Sequence, residues 1–232
     1  MSGIAAISFD ADGTLWDFDK VMRHALGFAR DELLRATALS SESLSIEAMI
    51  EIRNRTADEL RGKLTSLEAL RLEAFRRTLA DVGHPDDALA ERLNAIYLRH
   101  RFEDVEIYDD VLPTLDALRD ICPLGIVSNG NSYPERCGLD GRFAFVVFSQ
   151  DHGFEKPDPR LFEVALRLLR CEASGLLHVG DSLQNDVRGA SLAGVRSVWL
   201  NREASANPGD DRPHFEISDL RELIGICERL RR

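Results

Sequence analysis

After Val105 the chain settles into a rhythm of short apolar runs separated by segments with helical spacing. The runs are residues 124–127, 144–148, 176–179 and 197–200. Between them lie helical patterns at 111–119, 159–169 and 183–193, and a closing one at 219–230. Runs this short and apolar throughout suit strands buried on both faces, and strands alternating with helices build parallel βαβ units. Residues 4–9 form a further run, rich in β-formers, that stops abruptly at Asp10. The expected fold is therefore α/β: a doubly wound, mostly parallel, Rossmann-like sheet covered by helices on both faces.

Residues 18–102 have a different texture. They are rich in Leu, Ala, Arg and Glu, and Leu64, Leu67, Leu70, Leu72, Phe75 and Leu79 recur at helical spacing. One clear break falls at Gly83-His84-Pro85-Asp86, and no strand pattern is present. A helical block that follows the first strand reads as an insert. The division expected is 1–15 with 105–232 as the α/β core, and 16–104 as the helical insert. A chain of 232 residues has room for a core with such an insert. The polar stretch 204–211 (ASANPGDD) reads as a surface loop, and there are no repeats.

Charge narrows the partners. With 29 basic and 40 acidic residues the net charge is −11, which repels a nucleic-acid backbone or an anionic membrane surface. A small anionic substrate remains admissible, because one metal ion or lysine reverses the sign inside a cleft. Cys122, Cys137, Cys171 and Cys227 are scattered without CxxC spacing and read as reduced core residues, neither a disulfide framework nor a zinc site. The N-terminal residues show no basic, then apolar leader, and no window reaches the apolar length of a membrane span. The expected location is the cytoplasm.

An open parallel sheet binds ligands beyond the carboxyl ends of its strands, and the polar clusters of this chain fall there. FDADGT places Asp10 and Asp12 two residues apart directly after a strand. That is either an Asp-Gly turn or a nucleophile beside an acid/base, with Gly13 letting the backbone approach a ligand. IVSNGN offers Ser128 and exposed backbone N–H groups that can hold phosphoryl oxygens, or simply another turn. FEKPDPRLF puts Lys156 ahead of a proline-initiated helix. It is either a solvated lysine or a point cation among carboxylates. HVGDSLQND opens a helix: Asp181 and Ser182 can cap it, or Asp181 and Asp186 can offer hard oxygen ligands to Mg²⁺, directly or through water.

Taken together and in this order, the four clusters resemble the motifs of the haloacid dehalogenase superfamily: hhhhDxDGT, hhhSN, K-P and GDxxxxD, with a helical block after the first. The resemblance covers nearly the whole chain and extends to the phosphoglycolate-phosphatase-like branch with an α-helical cap. It implies a Mg²⁺-dependent phosphatase acting on small phosphorylated metabolites, as a monomer or homodimer. By this resemblance Asp10 attacks phosphorus, and Asp12 protonates the leaving oxygen and then activates water. Ser128, Asn129 and Lys156 serve the phosphoryl group, and Asp10, Asp12, Asp181 and Asp186 serve the metal. A carboxylate attacking a phosphodianion meets repulsion that a divalent ion offsets, which agrees with these roles.

Three other readings compete with this one. A dehalogenase of the same fold needs neither the metal nor Asp12. A phosphomutase keeps both aspartates and would shield the intermediate from water. A non-catalytic regulatory or scaffold protein would tolerate loss of a motif residue, and none is lost. Outside the motifs, Trp16 and Phe18 sit at the junction with the insert and are placed to wall the site. Arg23, Arg53, Arg55 and Lys63 either project into the cleft to meet acidic or hydroxylated leaving groups or, as amphipathic helices routinely carry such residues, form solvated helix faces. His178, inside an apolar strand, reads as a satisfied core residue; His152 and Cys137 find no partner pattern that makes them catalytic.

Overall fold

The computed structural model describes residues 3–64 and 66–230. Its elements run β1 (Ala6–Phe9), α1 (Phe18–Thr37), α2 (Ile46–Leu60), α3 (Leu67–Asp81), α4 (Asp87–Glu103), α5 (Val111–Leu118), β2 (Leu124–Ser128), β3 (Phe145–Phe148), α6 (Arg160–Leu169), β4 (Leu176–Gly180), α7 (Gly189–Leu192), β5 (Arg196–Leu200), β6 (Phe215–Ile217) and α8 (Glu222–Leu230). The strands form one sheet in the order β3-β2-β1-β4-β5-β6, and every pairing is parallel. All residues of β1, β2 and β4 are buried. Continuous apolar strands need cover on both faces, and helices such as α6 provide it through Leu161, Phe162, Val164 and Ala165.

β6 was not expected. It is three residues long with only Ile217 buried, too short an apolar run to stand out, and it gains its identity from pairing with β5 at the sheet edge. The helix expected at 183–193 is also divided. Leu183–Arg188 is a π-helical turn, capped by the Ser182 side chain accepting from the Asn185 N–H at 3.1 Å, and it runs into the short α7.

Two compact units are present: residues 1–17 with 106–232, and residues 18–105. Trp16 stays with the first unit through β-bridges to Asp12 and Ile107. The second unit is all helix, with more than the one break expected. Ser45, Ser66 and Asp86 each cap a helix by accepting from the N–H three residues on, so α2, α3 and α4 have separate starts. Its own core gathers Leu26, Leu33, Phe75, Leu79, Leu93 and Tyr97. Among the described residues no helix is long and apolar enough to cross a membrane.

Candidate active site

Beyond β1 the chain order of neighbouring strands reverses, since β2 lies on one side of β1 and β4 on the other. A crevice at such a switch point is where an open α/β sheet takes its ligand. Asp10 is the first residue past β1, and its N–H is tied to the Val179 carbonyl of β4 at 2.8 Å. Lys156, from the segment between β3 and α6, is buried and donates to Asp10 Oδ1 (2.8 Å), Asp186 Oδ1 (2.6 Å) and the Val127 carbonyl (2.8 Å). All three ammonium N–H groups are thereby used. Burial works against the charged lysine, yet the Asp10 and Asp186 carboxylates outweigh it and hold the ammonium above its usual range.

Burial acts in the same direction on both acids, and their neighbours decide the outcome. Asp10 is pushed from 3.8 up to about 7 by burial and by the charges of Asp186 and Asp181, against the pull of Lys156. Asp186 is equally buried, but the Lys156 charge and the His178 contact bring it well below the carboxylate range. Both Asp186 oxygens are engaged: Oδ1 by Lys156 and by His178 Nε2 (3.0 Å), Oδ2 by the Ser182 N–H (2.9 Å). His178 completes the chain through Nδ1 and Ser8 Oγ (2.9 Å), and burial pulls its ring below the usual imidazole range. It is the satisfied core residue the sequence suggested, with the added task of bracing Asp186.

Asp12 belongs to a second network. Its Oδ1 accepts from the Trp16 indole N–H (2.8 Å) and from Ser132 Oγ (3.0 Å). Its Oδ2 lies 2.8 Å from where a Cβ on Gly130 would stand. The buried Ser128 ends β2, and its Oγ accepts from the Gly130 N–H at 3.2 Å. Asn129 spends both ends of its amide on one residue: Nδ2 donates to the Lys156 carbonyl (2.9 Å) and Oδ1 accepts from the Lys156 N–H (2.7 Å). Its side chain therefore fixes the backbone of Lys156 beside the end of β2.

Asp181, at the tip of β4, is exposed, and its Oδ1 accepts from Thr14 Oγ1 at 3.1 Å. Gly13 lies against it with φ of +86°, and a Cβ there would come within 2.6 Å of Asp181 Oδ2, so both the turn and the approach demand glycine. Oxygens of Asp10, Asp181 and Asp186 converge within 4.8 Å of one another. Such a set, with one buried acid driven to about 7 partly by its neighbours' charges, suits a small hard cation.

The structure thus brings Asp10, Lys156, Asp181 and Asp186 together, with Asp12 and Ser128 on the adjoining strand ends. Sequence reasoning passed over Thr14, Ser132 and the bracing by His178. Thr14 and Ser132 lie next to motif residues in FDADGT and SNGNS, which is the signal that marks them. Trp16 does not wall the crevice: it is fully buried, and its contribution is the hydrogen bond to Asp12. Phe18 belongs to the helical unit, under the Arg53 and Arg101 guanidiniums. Arg23 is half-exposed, paired with Asp19 and Glu47, as a solvated helix face would be.

Comparison with known proteins bears on this geometry. The chain is 32% identical to a glyceraldehyde 3-phosphate phosphatase of Methanopyrus kandleri, over 98% of each protein. It shares its fold with a 2-haloacid dehalogenase from Pseudomonas syringae pv. Tomato at a TM-score of 0.84 and 35% identity, covering 97% of this chain and 99% of that one. A HAD-hydrolase of Bacillus subtilis, YfnB, solved bound to magnesium, matches at a TM-score of 0.73 and 26% identity over 97% and 99% of the two chains. The model of haloacid dehalogenase-like hydrolases matches residues 4–194, and with the strand-end carboxylates and the buried lysine this places the chain in that family.

Proposed function

We propose that this hydrolase is a Mg²⁺-dependent phosphomonoesterase that works through a covalent phosphate on Asp10. The observation that carries the reading is the pairing of Asp10, beside the fully engaged Lys156, with Asp12, a second carboxylate held in its own network by Trp16 and Ser132. An Asp10 oxygen attacks phosphorus, the bond to the leaving oxygen breaks, and Asp12 supplies the proton that oxygen needs. Asp12 then takes a proton from water, whose oxygen attacks the same phosphorus, and Asp10 leaves with its electron pair. Lys156 holds the nucleophile in place, while Ser128 and the backbone after β2 receive the phosphoryl oxygens. Asp10 and Asp181, with the Asp12 carbonyl, would hold Mg²⁺, whose charge offsets the repulsion between nucleophile and phosphate. With its oxygens taken by Lys156, His178 and Ser182, Asp186 supports the site from behind.

The name of the Methanopyrus relative supports a phosphorylated small metabolite as substrate, and that of YfnB supports magnesium. The dehalogenase neighbour favours a second reading, displacement of halide from a 2-haloacid by Asp10. The carboxylate cluster and Asp12 speak for phosphate. One assay separates the two: phosphate release from a panel of phosphomonoesters with Mg²⁺ and with EDTA, beside halide release from 2-chloropropionate. Metal-dependent phosphate release without halide release is expected. Halide release alone, or phosphate release untouched by EDTA, would overturn the proposal.

A further inference from the structure

The helical unit carries a convergence of metal-ligating side chains of a different chemistry. His24 lies on α1, His100 on the last turn of α4, and Asp104 is the C-cap residue directly after α4. Spacing of four residues puts His100 and Asp104 on one helix face, and α1 packs along α4 to bring His24 opposite them. Asp104 Oδ2 is 2.9 Å from His24 Nε2 and 2.7 Å from His100 Nδ1, and the donor atoms of all three lie within 4.8 Å. Phe28, one turn beyond His24, holds both rings. It stacks on His100 with centroids 3.7 Å apart and planes 5° from parallel, and meets His24 edge-on at 5.0 Å. The side chains of His24 and Asp104 are 48% and 37% exposed, so the cluster is open to solvent on one side.

We propose that His24, His100 and Asp104 form a binding site for a borderline divalent cation of the zinc class. Two imidazoles and one carboxylate suit Zn²⁺ or Co²⁺, whereas Mg²⁺ prefers oxygen ligands. Three protein ligands leave a coordination position for water. Without an ion the carboxylate bridges the two ring N–H groups. With one, each ring presents a bare nitrogen, and its proton sits on the other: Nδ1 of His24 and Nε2 of His100. Arg99, exposed, now contacts His100 Nε2 at 3.0 Å and would turn away. Bonds of about 2.0–2.1 Å in a tetrahedral shell separate donors by about 3.3 Å, so each imidazole nitrogen, now 2.9 or 2.7 Å from Asp104 Oδ2, would draw back from it by about half an ångström. The ion would tie together the first and last helices of the unit.

The test uses tag-free protein, stripped of metal and kept in excess Mg²⁺ so that the strand-end carboxylates are not competing for the probe. Zn²⁺ is titrated against a chromophoric chelator, and histidine ring resonances are followed by NMR. One equivalent should bind with an affinity on the order of micromolar, shifting His24 and His100 but not His178. His24→Ala and His100→Ala should each weaken binding at least about tenfold, while Asp181→Asn leaves it unchanged. The ring resonances of the unmodified protein decide the matter even if a variant folds poorly. Absence of Zn²⁺ binding, binding that leaves the His24 and His100 rings unmoved, or binding abolished by Asp181→Asn alone would show the trio to be a hydrogen-bonded cluster only.

Discussion

Lys156 gathers Asp10, Asp186 and a β2 carbonyl on one buried nitrogen, while Asp12 accepts from Trp16 and Ser132. This separation lets the two aspartates be tested independently. Asp12→Asn keeps the shape but removes the proton carrier. With p-nitrophenyl phosphate, whose leaving group needs little protonation, the first step should survive and the second stall. A burst of nitrophenol and a phosphate mass increment on the Asp10 peptide are expected; equal slowing with no adduct would speak against the assignment. Asp10→Asn should lose activity at least about a thousandfold while keeping its circular dichroism spectrum.

A further residue pair holds the loop behind the site. Arg202 donates to both Asp110 oxygens (2.7 and 3.0 Å) and to the Thr14 carbonyl (3.0 Å), and the Leu220 N–H also donates to Asp110 (2.8 Å). Burial alone would raise the Asp110 carboxyl, but these donors bring it below its usual 3.8. A carboxyl lowered in the folded state adds stability that is present above 3.8 and lost as pH falls through the folded value. Asp110→Asn should therefore cost about 3 kcal/mol at pH 7. The gap to the unmodified protein, read by urea denaturation, should narrow as pH falls below about 4. A gap that stays constant with pH would assign the effect to packing.

Elements bring these residues into register. The strand ends carry Asp10, Ser128 and Asp181, and the π-helical turn after β4 swings Asp186 back under Lys156. Gly180 allows that return, since a Cβ there would stand 2.1 Å from Asp186 Cγ. The β2–β3 pair depends on a similar economy of space. Gly125 faces Phe145, and a Cβ would sit 2.3 Å from its ring. Gly125→Ala should force the ring aside at a cost of about 1–3 kcal/mol, seen as a lower urea midpoint with unchanged slope. A midpoint equal to that of the unmodified protein would show that Phe145 moves freely.

For the molecule as a unit, a cation bound only by the folded state adds stability by mass action. Mg²⁺ at about a hundred times its dissociation constant should add about 2.7 kcal/mol, raising the melting temperature. Asp181→Asn should remove most of that response without lowering the melting temperature in EDTA, because burial and the Asp186 charge push the Asp181 carboxyl up to about 6, so the substitution removes a charge the folded site disfavours. If Mg²⁺ stabilised the variant as fully as the unmodified protein, the ion would have to bind elsewhere.

The chain's local pattern determines five of the six strands, the helical insert and the aspartates at the strand ends. Buried parallel strands need unbroken apolar runs, and ligand-facing residues need a polar stop, and both are properties of neighbouring residues. The tertiary structure alone decided which strands adjoin, and so that Lys156 meets Asp10 across 146 positions. It also decided that Asn129 holds that lysine, that Trp16 turns inward to Asp12, and that β6 exists at all. His24 and Asp104 are likewise 80 residues apart and meet only because two helices pack. Such meetings depend on how the chain closes on itself and on what fits once it has closed, and a residue's immediate neighbours carry no trace of either.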